Sequence, residues 1–200
     1  MPNSSLCLLL DTNVWLEKYL PWRAGHGTVL ALLREADLQE IPIAFPAQSA
    51  LDVYQRVRIE NKRWARDSGR LDDHMAQAIK RLAWDCVNDM RDLATAVPAD
   101  SSDLYLACKH RAVHDDLEDD LLLAACQRAH ASHLVTNDRK LLAHSPVEAV
   151  TPRKYARTPK SWHCPWCAHS SREHRLSARL AQDDLRIVGK RLTGFWIQAL

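Results

Sequence analysis

The stretch Leu6-Cys7-Leu8-Leu9-Leu10-Asp11-Thr12-Asn13-Val14-Trp15-Leu16 decides how the rest of the chain is read. Its first five residues form a short apolar run, the pattern of a strand buried on both faces, as in parallel sheets. The run stops at Asp11. Thr12 or Asn13 then offers an N-cap, and Val14, Trp15, Leu16 and Leu20 open a helical pattern. Open α/β sheets place their ligands outside the carboxyl ends of the strands. Asp11 therefore stands where such folds carry out chemistry, unless it only caps the helix. What separates the two is whether other acids gather at the same edge.

Working outward, 200 residues with 46% apolar side chains suit one domain of ordinary size with an appendage. Met1 to Ser5 has no charged side chain, and the apolar run behind it is too short to span a bilayer. Neither a signal peptide nor a membrane anchor is expected, so the expected compartment is the cytoplasm. Cys7, Cys86, Cys108 and Cys126 are scattered among apolar neighbours, which fits reduced, buried thiols better than a disulfide framework. The net charge of +2 conceals an asymmetry. Residues 1–150 carry 17 Lys+Arg against 22 Asp+Glu, and residues 151–200 carry 10 against 3. An acidic body with a basic tail suits a polyanionic partner held near acidic chemistry, though such a tail can also be merely solvated.

Residues 28–36 read as a helix and 41–45 as a second short strand, ended by Pro46, itself well placed to open a helix. That helix carries Asp52 about two turns past the strand end, within reach of the same edge as Asp11. It continues through Arg56, Arg58, Lys62 and Arg63 with Tyr54 and Trp64 interleaved, a basic face that could hold a phosphate backbone. Residues 67–70 read as a turn and 72–93 as a long helix with a core stripe. Pro98 breaks it, and Ser102 offers the cap of a short helix. The run 114–126 then places five acids within six positions at the head of an apolar helix. The helix macrodipole accounts for one or two of them. The rest repel one another, which a divalent cation would relieve. Asp119 lines up with Leu122, Leu123 and Cys126 and is expected to face inward. Asp120 falls at the edge of that stripe, and Asp116 is a further candidate. Residues 132–136 read as a strand followed by Asp138, and a helix at 139–143 and a strand at 147–150 complete the body. This alternation predicts an α/β fold with a mostly parallel central sheet flanked by helices.

Asp11, Asp52, Asp119 or Asp120, and Asp138 each fall at a strand end or on a helix beside one. Hard carboxylate ligands select Mg²⁺ or Mn²⁺ over zinc, and paired ions of that kind promote phosphodiester displacement. The chain has five glycines and neither a P-loop nor a dinucleotide fingerprint. No Ser or Cys nucleophile with a nearby base is evident, so metal-dependent hydrolysis is the chemistry left standing.

Four landmarks, in order, carry a resemblance. They are Leu9-Leu10-Asp11-Thr12-Asn13; Pro46 with Asp52 and Val53; Asp116-Leu117-Glu118-Asp119-Asp120 running into Leu123-Ala124-Ala125; and Leu134-Val135-Thr136-Asn137-Asp138. Over about residues 6–156 the sequence resembles the PIN-domain ribonucleases, the family that includes VapC-type toxins of bacterial toxin–antitoxin pairs. The resemblance implies a three-layer nuclease domain over 1–156 and a metal-dependent endoribonuclease. Asp11, Asp119 or Asp120, and Asp138 would be ligands, with Asn13 and Thr136 orienting them. The implied partners are RNA, a cognate antitoxin and, as an option, a second copy of the chain, with no membrane. One position departs from the pattern: the family more usually has Glu where this chain has Asp52, one methylene shorter. That departure sustains an alternative, a catalytically weak PIN fold that binds RNA or protein.

The basic C-terminal extension, 157–200, fits none of this. It holds a CxxC knuckle, Cys164 and Cys167, with His163, His169 and His174 beside it. Zinc could bind there, but structural zinc sites draw on two separated ligand pairs and this is one compact cluster.

Overall fold

The computed structural model describes residues 6–157. The apolar opening run forms β1 (Leu8–Leu10), and all three residues are fully buried because the strand lies in the middle of the sheet. It is followed at once by α1 (Thr12–Tyr19), then α2 (His26–Leu38), which return the chain to β2 (Ile43–Pro46). Pro46 closes β2 and stands as the extended N-cap residue of α3 (Ala47–Asp67), so it precedes the helix instead of opening it. The turn at Gly69, which takes a left-handed φ of 69°, reverses the chain into α4 (Asp73–Leu93). That helix is capped by Asp72, whose carboxylate accepts from the Met75 amide at 2.6 Å.

A strand the sequence reading leaves out follows, β3 (Thr95–Val97). Next come α5 (Ser101–His114) and α6 (Leu117–Arg128), then β4 (His133–Val135), α7 (Arg139–His144), β5 (Ala149–Val150) and α8 (Pro152–Arg157). The helix after Pro98 is longer than the short one expected, and its cap is Asp100, in a reciprocal capping box with Asp103; Ser102 supplies an amide to it.

The sheet order is β3-β2-β1-β4-β5, and every neighbouring pair is parallel. The expectation of a mostly parallel sheet is thus met in full. β1 pairs on one side through Leu8↔Ile43 and on the other through Leu9↔Leu134 and Leu10↔Val135. Chain order runs outward from β1 in both directions, so the crevice between the carboxyl ends of β1 and β4 is the topological switch point. The core beneath α6 gathers Leu9, Leu123, Leu134 and Leu141, all fully buried. Cys86 and Cys126 are buried thiols, the latter pushed up to about 12 by burial, but Cys108 is exposed, contrary to expectation. Among the described residues no helix is long and apolar enough to cross a membrane. The extension beyond residue 157, with Cys164 and Cys167, lies outside the described residues.

Leu123 anchors α6 to the sheet with no exposed surface. Truncating it in Leu123→Ala is expected to cost about 2–5 kcal/mol, from lost transfer energy and an unfilled cavity. A lowered urea midpoint at unchanged slope would register this.

Candidate functional site

Asp11 occupies the N-cap position of α1, yet its side chain makes no cap hydrogen bond. The carboxylate is buried and turned to the crevice between β1 and β4. There Oδ2 accepts from the Thr136 hydroxyl at 2.6 Å and from the Asn13 side-chain amide. Asn13 also reaches Thr136 Oγ1 at 3.2 Å, and its own oxygen accepts from the Asn137 amide at 3.2 Å. Thr136 Oγ1 in turn accepts from the Asp138 amide at 2.9 Å. Two residues at the end of β1 and three after β4 are thereby bound into one polar clasp. Asp11 thus has side-chain partners across the two strand ends beyond anything helix capping requires.

Asp138 behaves differently. It caps α7, with Oδ1 accepting from the amides of Lys140 and Leu141 at 2.7 and 3.1 Å. Its charge is still felt by Asp11. Burial, chiefly, raises the Asp11 pKa above its ordinary 3.8, and the negative Asp138 adds to the rise; the Thr136 bond and nearby amides oppose it.

The acid run on α5 and α6 sorts into separate roles. Asp115 ends α5 in the left-handed conformation and pairs with Arg111 at 2.9 Å. Asp116 caps α6 through the amides of Glu118 and Asp119 and is itself exposed. The inward residue is Asp120, only 2% exposed, whereas Asp119, expected to face the core, is half-buried. Asp120 Oδ1 is cut off from solvent and has no hydrogen-bond partner. Because α6 leads into parallel β4 by way of the far edge, its first turn stands at the carboxyl edge of the sheet. Asp120 is therefore on the same edge as Asp11.

Asp52 is half-buried on α3, and burial raises its carboxyl while Arg56, one turn on, lowers it. Glu118, not among the residues singled out from sequence, joins this group. Its carboxyl is raised by partial burial and then by the negative charges of Asp52, Asp11 and Asp116, with Arg56 opposing. The available signal was its place in the first turn of α6, two residues past the cap. Of the four cations read as backbone-binding, Arg56 lowers the carboxyls of Asp52 and Glu118 by its charge. Arg58 instead lies over the Tyr54 ring at 5.1 Å, Arg63 sits 3.9 Å from Asp67, and Lys62 is half-buried further along α3.

The donors at this edge are hard oxygens, and one buried carboxylate oxygen lacks a partner. In donor chemistry Asp11, Asp120 and Asp138 suit a divalent cation such as Mg²⁺ or Mn²⁺. Among the described residues, no three His, Cys, Asp or Glu side chains stand gathered as a ready-made metal site.

No family model matches the chain, and no curated protein matches it. Solved structures do. A chain in the crystal structure of VapBC2 from Rickettsia felis bound to a DNA fragment from their promoter superposes with a TM-score of 0.50 at 12% identity, covering 73% of this chain and 98% of that chain. The likeness is one of fold: a five-stranded parallel sheet between helical layers, an α/β three-layer arrangement consistent with a PIN-like fold.

A raised carboxyl pKa fixes the sign of a stability effect. The folded state keeps the Asp11 proton to higher pH than the unfolded chain, so stability falls as pH climbs from 3.8 through the raised value, and the deficit persists at neutral pH. In a chelator, Asp11→Asn should therefore melt at or above the wild-type temperature at pH 7, with the difference vanishing below 3.8. A lower melting temperature at pH 7 would contradict this account.

Proposed function

We propose that this chain is a divalent-metal-dependent endoribonuclease of VapC-like type, restrained in its biological setting by a cognate antitoxin. The observation that carries the reading is Asp11: a buried carboxylate at the sheet's switch point, held by side chains from two strand ends. Helix capping alone does not call for the bonds to Thr136 and Asn13, and packing alone would not select a charge there.

Asp11, Asp120 and Asp138 would hold Mg²⁺ or Mn²⁺, with Asp52 and Glu118 beside them. When bound, such an ion supplies an activated water and charge stabilisation at the scissile phosphate. The chain's own residues do the rest. Asn13 and Thr136 fix the Asp11 carboxylate and tie it to the Asp138 backbone. Arg56, the cation nearest the acids, offsets part of their repulsion and can pair with a phosphate oxygen. Binding to RNA should weaken as salt rises.

The antitoxin is suggested by the fold-level likeness to a VapBC2 structure, and a second copy of the chain remains a further partner to test. Asp52 supports the second reading, a PIN fold that binds RNA or protein with weak catalysis, because its side chain is one methylene shorter than the Glu usual at that landmark.

Cleavage of a generic single-stranded RNA by the full chain tests the first reading. Chelator should stop it and Mg²⁺ or Mn²⁺ restore it. Asp11→Asn, Asp120→Asn and Asp138→Asn should each reduce it about a hundredfold or more, with the fold retained because Asn preserves the shape and the α7 cap. Asp119→Asn should cost far less. Undiminished cleavage in all three variants removes the mechanism; RNA bound but never cleaved selects the binding module.

A further inference from the structure

On the far flank of α3 from Asp52, Arg58 and Tyr54 pack against Trp84 of α4. The Arg58 guanidinium lies over the Tyr54 ring at 5.1 Å, and that ring meets the Trp84 indole of α4 with centroids 5.2 Å apart and planes tilted by 56°. Trp84 is 54% exposed, so much of the indole is open to solvent. Arg58 Nε is shut off from water and has no hydrogen-bond acceptor, so the guanidinium is held in place chiefly by packing on the ring. Packing between α3 and α4 fixes the pair.

We infer that Trp84, Tyr54 and Arg58 form a stacking platform for an unpaired base of single-stranded RNA on its way to the acidic crevice. At 100° per residue, Tyr54 and Arg58 share one flank of α3 and Asp52 and Arg56 share the other. Between them lies the exposed arc with Leu51, Gln55, Ile59 and Arg66, while Arg63 falls on the Asp52 flank. A helix is about 10 Å across, so a short single strand crossing that arc can seat a base on the indole while its phosphates pass basic side chains. Aromatic faces with a neighbouring guanidinium are the usual means of holding unpaired bases, since every base presents a π-face. In a duplex those faces are already stacked and unavailable. Arg66 on the arc, with Arg56 and Arg63 on the flank beside it, favours a polyanion over a protein as the occupant.

The platform presupposes that the chain takes RNA, and so rests on the function proposed above. It is tested by binding, without cleavage. Fluorescence anisotropy of the full chain with a labelled oligoadenylate and with a blunt RNA duplex of equal length, both in chelator, is the measurement. Trp84→Leu keeps an apolar side chain but removes the π-face. It should weaken single-strand binding about tenfold and leave duplex binding unchanged, and Trp84→Phe should recover most of the loss. Wild-type affinity in Trp84→Leu, an equal loss on duplex, or no single-strand binding by the wild type overturns the platform. So does a changed oligomeric state in Trp84→Leu with RNA affinity intact, which would assign the face to a protein contact. Binding that depends on Trp84 without cleavage in Mg²⁺ would sink the nuclease reading alone; cleavage with no dependence on Trp84 would sink the platform alone.

Discussion

The structure depends on a carboxylate that is held in the wrong place for comfort. Asp11 is taken out of water at the end of the central strand, where burial and the charge of Asp138 both work against ionisation. Three polar contacts keep it there: the Thr136 hydroxyl, the Asn13 amide, and the bond between those two partners. Because Thr136 also receives the Asp138 amide, the clasp links the ends of β1 and β4 to the start of α7, just where the strand order reverses. A protein that needed only stability would place an apolar residue at this position.

Much of this frame was legible in the residues. The apolar runs at β1, β2 and β4 each stop at a breaker or an acid, and parallel pairing followed from the helices between them. Asp11 and Asp138 stood out because a charged residue ended an apolar strand. β3 escaped notice for physical reasons. It has three residues, two of them exposed at the sheet edge, and it follows directly on a long amphipathic helix whose own pattern masks it.

The register of the third acid stays open between Asp119 and Asp120 in the sequence for a different reason. Counting by turns aligns Asp119 with Leu122, Leu123 and Cys126, but α6 is covered on several sides, by the sheet and by α5. Its residues Leu122, Leu123, Ala124, Ala125 and Cys126 are all buried. A helix wrapped this way has no single apolar face, so its periodicity does not say which acid turns inward. Glu118 is not singled out by the sequence because its shift comes from burial and then from Asp52 on α3, a neighbour in space that no local pattern reveals.

The clasp also joins groups 125 residues apart in the chain. Among the described strands β1 is made first, and β4, its neighbour on one side, is made only after β2 and β3. The buried acid therefore has its partners only once most of the body has been synthesised. A chain stalled before β4 carries Asp11, Asp52 and Asp120 but lacks both Thr136 and Asp138. For a protein of the kind proposed here, late assembly of the site would itself be a safeguard.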